Sequence, residues 1–138
     1  MRRFAALLAV VLLSACTNEI DQSTRPSSVV GTYQLRTYGG RSLPAVVSSD
    51  QAGVTEVVSG ELVIGADQTW TETRIIRYTQ GTTSQSLTFG TSGSWVFLRD
   101  YAYMQFNDKV YAYQFTGTAA GGSVTLNLND GNAVVYSR

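Results

Sequence analysis

From residue 29 onward apolar and polar side chains alternate one by one, and a period of two marks strands with one buried face and one wet face. In 29–37 the odd positions Val29, Gly31, Tyr33 and Leu35 are apolar or small, while Thr32, Gln34 and Arg36 between them are polar. Leu62 and Ile64 share a face, as do Leu87, Phe89, Gly93, Trp95 and Phe97, with Ser86, Thr88, Ser92 and Ser94 opposite. Tyr111, Tyr113 and Phe115 make a further stripe. Val124, Leu126 and Leu128 alternate with Ser123, Thr125 and Asn127, and Val134, Tyr136 and Arg138 complete the series. The chain is rich in Thr, Val, Ser and Gly where a helical protein would carry runs of Ala, Leu, Glu and Lys.

Turn residues punctuate these runs at 38–40 (YGG), 66–68 (ADQ), 79–81 (TQG), 99–100 (RD), 107–108 (ND), 121–122 (GG) and 129–131 (NDG). Asn107-Asp108 and Asp130-Gly131 have the composition of tight hairpin turns. The spacing predicts an all-β domain over 29–138, an up-and-down antiparallel meander of about 8–9 strands. An open meander exposes two edges, and closure removes them. A small closed barrel is therefore expected, with a two-sheet β-sandwich as the alternative. The length is enough for a core without disulfide or metal. Eight Tyr, five Phe and two Trp, all but Phe4 downstream of residue 28, supply bulk to fill it.

The first sixteen residues follow different rules. Met1-Arg2-Arg3 is basic, 4–13 (FAALLAVVLL) is apolar and uncharged, and the small residues Ser14 and Ala15 precede Cys16. This is the layout of an export signal. The apolar run is far short of the ~20 residues a membrane-spanning helix needs. Leu13-Ser14-Ala15-Cys16 resembles the lipobox of bacterial lipoproteins. The resemblance implies a cleaved signal over 1–15, a diacylglyceryl thioether on Cys16, and acylation of the freed amine. Cys16 is the sole cysteine of the chain, and lipidation accounts for an unpaired cysteine in an exported protein. Membrane lipid is then the first partner, since two or more acyl chains hold at about 0.8 kcal/mol per buried CH₂. Residues 16–28 form the lipidated cysteine and a polar tether carrying Pro26, with a reach of roughly 20 Å. Thr17, where Asp would signal inner-membrane retention, resembles the default sorting to the outer membrane. A lipid-anchored position in the cell envelope, on the periplasmic face or the surface of that membrane, is the expectation.

Within the domain, Gly31-Thr32-Tyr33 resembles the Gly-x-Trp motif that opens the first strand of lipocalins and related calycin barrels, with Tyr in place of Trp. Tyr136-Ser137-Arg138 resembles the last strand of those barrels, whose basic residue packs over the first-strand ring. The resemblance implies that Arg138 lies over Tyr33 and closes the barrel, a cation–π contact worth about 0.5–2 kcal/mol. The run from Gly31-Thr32-Tyr33 through Gly39-Gly40 to Leu43-Pro44 is also similar to small lipocalin-like bacterial lipoproteins of unknown role.

The inventory of reactive groups is thin. Histidine is absent, and Cys16 is the only thiol. No Gly-x-Ser-x-Gly, P-loop or dinucleotide fingerprint occurs, and Asn129-Asp130-Gly131-Asn132 lacks the carboxylates of a calcium loop. Beyond the leader, eight basic and ten acidic side chains leave a net charge near −2, with no two Lys or Arg adjacent. That argues against nucleic acid. No enzyme activity, cofactor or metal is expected. The first functional expectation is non-catalytic binding of a small apolar or amphipathic ligand by inward aromatics: Tyr33, Trp70, Phe89, Trp95, Phe97, Tyr113 and Tyr136. The same rings would equally fill a small eight-stranded barrel as core. The alternative is a structural or interaction lipoprotein that binds or inhibits an envelope protein through its outer face, with Tyr101, Tyr103 and Tyr111 as a candidate patch. A lumen of about 300 Å³ or more lined by those rings would favour the ligand.

One segment is ambiguous. If Trp70 points inward, alternation carries Glu72 and Arg74 inward too, where they could grip the polar end of a ligand. Unpaired charges are costly to bury. The favoured expectation is therefore a bulge near Ile75-Ile76 that shifts the frame, or water around the pair at the strand's outer end.

Overall fold

The computed structural model describes residues 29–98 and 103–138. The leader, Cys16, the tether, the turn at 99–100 and Tyr101 lie outside the described residues. Ten strands follow in chain order: β1 (Gly31–Tyr38), β2 (Arg41–Ser42), β3 (Ala45–Asp50), β4 (Gly53–Ile64), β5 (Thr69–Gln80), β6 (Thr83–Leu98), β7 (Tyr103–Asp108), β8 (Gln114–Ala120), β9 (Ser123–Asn127) and β10 (Ala133–Ser137). No α-helix occurs among the described residues.

All ten belong to one antiparallel sheet, ordered β2-β1-β10-β9-β8-β7-β6-β5-β4-β3. β1 also pairs with β4, from Gly31↔Ile64 to Gln34↔Glu61. That second pairing closes β1 and β4 to β10 into an eight-stranded barrel, with β2 and β3 outside the ring. The fold is therefore the closed meander that the alternation predicts, and not a sandwich. β1 is the seam: its first half pairs with β4, and its second half pairs with β10 at Leu35↔Tyr136.

The inward side chains meet in one core. Tyr33, Leu62, Ile64, Trp70, Phe106, Leu126 and Tyr136 are all buried to about 1 % exposure or less. Trp70 sits edge-on to Phe106 (5.7 Å) and to Phe115 (5.4 Å), and those two phenylalanines stack at 5.1 Å. Such pairs contribute about 0.5–1.5 kcal/mol each beyond the area they bury. Both indole N–H groups are satisfied, Trp70 donating to the Ser94 carbonyl (3.1 Å) and Trp95 to the Gly65 carbonyl (3.2 Å). Gly93 lets β5, β6 and β7 come this close. A Cβ there would lie 1.8 Å from the Asn107 carbonyl oxygen and 2.9 Å from the Trp70 ring nitrogen.

Three departures from the sequence expectations matter. Residues 41–60 contain β2, β3 and the first half of β4, none of which shows a clean alternation. Asn107-Asp108 is not a turn; both residues end β7, and the chain reverses over 109–113 instead. A bulge does lie opposite Ile75-Ile76, but its extra residue, Val58, is in β4. β5 keeps unbroken register with β6 from Thr69↔Ser94 to Gln80↔Thr83, so the frame shift expected in β5 does not occur. Glu72 and Arg74 follow Trp70 inward.

Candidate functional site

The barrel's two ends differ. At one end lie the 65–68 turn, the start of β1 and the end of β10, where Val29, Tyr33 and Trp95 are buried. Here the Arg138 guanidinium sits 4.8 Å from the centre of the Tyr33 ring. Its Nη2 donates to the Tyr33 hydroxyl (2.9 Å) and to the Val30 carbonyl (2.7 Å), while the Tyr33 hydroxyl donates to the Val29 carbonyl (2.6 Å). Gly31, at φ +150°, makes room: a Cβ on it would meet Arg138 Nη2 at 3.0 Å. The structure thus brings Tyr33 and Arg138 together across β1 and β10, and this end is plugged.

The opposite end is open. At its floor Arg74 donates from Nε and Nη2 to the two carboxylate oxygens of Glu72, both at 2.7 Å. Residues two apart on a strand share a face, so β5 itself presents this pair. Tyr136, from β10, donates its hydroxyl to the same carboxylate. The Glu72 side chain is 3 % exposed and that of Arg74 16 %, so the carboxylate is sealed below and the guanidinium borders the mouth. Tyr38 covers the guanidinium, its ring centre 5.4 Å from Arg74 Cζ. Neutralisation explains why the pair can be inward at all. Burial alone would pull the Arg74 guanidinium down, but the hydrogen bonds and charge of Glu72 outweigh it and hold its pKa above the ordinary value. Burial, followed by the nearby Glu72 charge, pushes the Tyr136 phenol up. Burial likewise raises the phenols of Tyr38 and Tyr113.

Around this floor stand aromatic walls. A cavity of about 160 Å³ is lined by Glu72, Arg74, Ile76, Phe89, Gly90, Thr91, Tyr111 and Tyr113. A wider, shallower depression of about 430 Å³ shares Arg74 and Tyr113 and adds Tyr38, Leu128, Asn129 and Asp130. Tyr111 and Tyr113 are presented by the 109–113 loop, which Asp108 holds. Its carboxylate accepts from the Val110 N–H (2.7 Å), the Tyr111 N–H (2.9 Å) and the Thr91 hydroxyl (2.5 Å). Asp130 sits in the β9–β10 turn, and hydrogen bonds from the Asn132 side chain and backbone keep its carboxyl below the usual range.

The seven aromatics therefore divide. Tyr33, Trp70, Trp95 and Tyr136 are packed in the barrel; Phe97 packs edge-on against Trp95 (5.2 Å); only Phe89 and Tyr113 border the mouth. The tyrosine patch divides as well, since the length of β7 separates Tyr103 from Tyr111. Sequence reasoning missed Asp108 and Tyr38. The signal for Asp108 was its type: an Asp whose side chain caps the backbone N–H groups two and three residues on organises a loop rather than a two-residue hairpin. Among the described residues no group of three or more Asp, Glu, His or Cys is placed to hold a metal ion, and no helix is long and apolar enough to cross a membrane.

Neither a family model nor a curated protein matches the chain. Among solved structures it is similar to the Cpx pathway activator NlpE from Escherichia coli, at 18% identity and a TM-score of 0.39. The similarity covers 63% of this chain and 41% of that one, so the chain spans less than half of the protein it matches.

Proposed function

We propose that this chain is a lipid-anchored protein of the cell envelope that works by binding, not catalysis, and that it engages its partner at the open end of the barrel. The observation that carries the reading is the division of the aromatics. The lumen is filled by its own rings, while Phe89 (45 % exposed) and Tyr111 (57 % exposed) stand out at the mouth beside Tyr113 and Arg74. Exposed tyrosines flanking an arginine are the composition of interface anchors. The cavity beside Phe89 and Tyr113, about 160 Å³, is small against the ~300–1,000 Å³ of small-molecule sites. That favours a protein or peptide surface over a ligand swallowed by the barrel.

The anchor rests on the leader. Leu13-Ser14-Ala15-Cys16 with Thr17 following supports lipidation of Cys16 and delivery to the outer membrane, and the lipocalin-like motif supports a calycin-type barrel behind the tether. The absence of histidine and of any thiol besides Cys16 supports a non-catalytic role. A compact amphipathic ligand is the second reading, favoured by the depression of about 430 Å³ over Arg74 and Tyr113.

Two measurements test the proposal. In the full-length chain, a photo-crosslinking phenylalanine at position 111 should trap a protein adduct that the same probe at exposed position 36 does not. Equal adducts at both positions, or none at 111, would overturn the mouth as the binding surface. A fatty-acid probe should label the parent chain and not Cys16→Ser. Labelling and membrane fractionation that persist in the variant would sink the lipoprotein assignment.

A further inference from the structure

We propose, on the reading that the open end is the binding surface, that the uncovered flank of β6 receives the partner as an added strand. The occupant is an extended, uncharged segment of another protein, which pairs with 84–90 and sets one neutral side chain into the mouth. β6 is paired with β5 from Thr69↔Ser94 to Gln80↔Thr83. β7 joins its other side only from Gly93↔Asp108 onward. Residues 84–90 thus stand past the barrel ring with one flank uncovered among the described residues. Two hydrogen bonds fix the backbone parity. The Lys109 N–H donates to the Ser92 carbonyl on the outer side, and the Trp95 N–H donates to the Gln68 carbonyl on the β5 side, each at 2.9 Å. Since strand residues alternate the direction of their backbone groups, Ser84, Ser86, Thr88 and Gly90 turn theirs outward.

That pattern specifies the chemistry of what covers it. Outward N–H and C=O groups recurring at every second residue are matched by another extended polypeptide, whose own groups repeat at the same spacing. A segment of about seven residues spans 84–90. The run 83–91 (TSQSLTFGT) holds no charge and no proline to turn a strand away, and every residue from 83 to 90 is exposed. The opposite margin of the sheet is built differently. β3 is bulged between Val46 and Ser48, its Val46 carbonyl is capped by Arg41 Nη1 at 2.6 Å, and it ends on Asp50. Bulges and charges are the usual means of blunting an edge. Only the margin beside the mouth is left open to pairing.

The mouth supplies the second half of the site. Past Asp108 the chain leaves the line of β7 for the 109–113 loop, and an added strand takes up that line. Its side chains alternate between the two faces. On the inner face they lie beside Leu87 and Phe89, which are 55 % and 45 % exposed. There the cavity of about 160 Å³ runs from Phe89, Gly90 and Thr91 of β6 to Tyr111 and Tyr113 of the loop, with Arg74 beneath. It is too small for a drug-sized ligand and suits a single side chain. Glu72 and Arg74 at its floor neutralise each other, and Asp108 is engaged by Thr91 and the loop backbone. A charged side chain would be buried there without a partner, at a cost a neutral one does not bear. Added strands draw affinity from main-chain hydrogen bonds and specificity from pockets for alternate side chains. This flank offers the first and the cavity the second.

Photo-crosslinking of the full-length chain in membranes of its native host tests this. A photo-reactive phenylalanine at 84 or at 90 should trap the same protein as the probe at 111. Peptide mapping should place the sites reached from 84 and 90 in one stretch of that protein, about six residues apart. Thr88→Pro removes an outward N–H, a place where an edge strand tolerates proline, and spares the pairing of Leu87 and Phe89 with β5. It should cut the adduct at 111 about tenfold, and Thr88→Val, which keeps the N–H, should not. If Thr88→Pro fails to fold, the mapping decides alone. An adduct at 111 with none at 84 and 90 would overturn the added strand and leave the mouth as the binding surface. No adduct at any of the three positions would overturn both. Mapped sites scattered along the partner, or adducts at 84 and 90 that join two copies of this chain, would overturn the strand alone. So would no loss from a folded Thr88→Pro, or equal losses from Thr88→Pro and Thr88→Val.

Discussion

Tyr136 holds the base of the mouth, its hydroxyl on Glu72 and its ring buried against the core. Replacing it with Phe leaves the carboxylate short of one donor while preserving the packing. We expect Tyr136→Phe to cost about 1–3 kcal/mol in urea unfolding at neutral pH. It should also change the alkaline limb. Burial, then the charge of Glu72, raises the Tyr136 phenol, so its neutral form adds stability that is fully present below the unfolded tyrosine value of about 10. That stability drains as pH climbs beyond it, because the unfolded chain gives up the proton first. The variant should lose stability less steeply above that pH, though not follow a flat line, since Tyr38 and Tyr113 are raised too. Equal slopes would mean that the phenol does not resist ionisation in the fold. At the plugged end, Tyr33→Ala should cost about 3 kcal/mol or more through lost burial, and Arg138→Ala about 1 kcal/mol. With Arg138 Cζ 4.8 Å from the ring centre, the double variant should cost less than the sum by about 0.5–3 kcal/mol. Additivity would show that the contact carries no energy.

Among the strands, β5 and β6 show how far alternation reaches. Period two placed Trp70 and Phe115 on inward faces, and each sits in a strand paired on both sides inside the ring. The same pattern in β6 made Phe89 look equivalent to Trp95, yet one is exposed and the other buried. Side-chain parity is a local property, but burial depends on where the ring of neighbours stops, and β7 stops at Asp108. The pair in β5 was hidden for a related reason. Whether Glu72 and Arg74 can face inward depends on Tyr136, sixty-four residues away, and no local pattern encodes that. β2 and β3 were illegible because β2 is two exposed residues and β3 turns only Ala45 into the core, too little for a period to show. Gly93 and Gly90, three residues apart on β6, make the local consequence measurable. Gly93→Ala would push a methyl into the Asn107 carbonyl, whereas a Cβ at Gly90 meets its nearest atom at 4.0 Å. Thermal melting should show Gly90→Ala within about 0.5 kcal/mol of the parent. Gly93→Ala should lose about 3 kcal/mol or more, or fail to fold, because the β6–β7 ladder has to part. Similar melting temperatures for the two would refute the close approach.

At the scale of the whole molecule, one strand decides whether the sheet is a ribbon or a ring. β1 is held on one side by β4 and on the other by β10, so anything that loosens its start releases both seams together. Just before it, Val29 is 2 % exposed, and its carbonyl receives the Tyr33 hydroxyl; the Val30 carbonyl receives Arg138. Val29 and Val30 therefore tie the start of β1 to this end of the barrel. Two truncations of the mature chain separate the consequences. Deleting 17–28 should leave the melting temperature almost unchanged, because that polar stretch has too little apolar surface to offset its own ordering entropy. Deleting 17–30 removes a buried Val worth about 1.5–3 kcal/mol and the acceptors of two buried or half-buried donors, at about 1–3 kcal/mol more. For a domain of this size, each kcal/mol shifts the midpoint by roughly 4 °C or more, so the longer deletion should melt at least about 10 °C lower. If the shorter deletion falls as far, the tether belongs to the fold. If neither falls, the plugged end is not what keeps the ring closed, and the strength of the closure has to lie in the β1–β4 ladder itself.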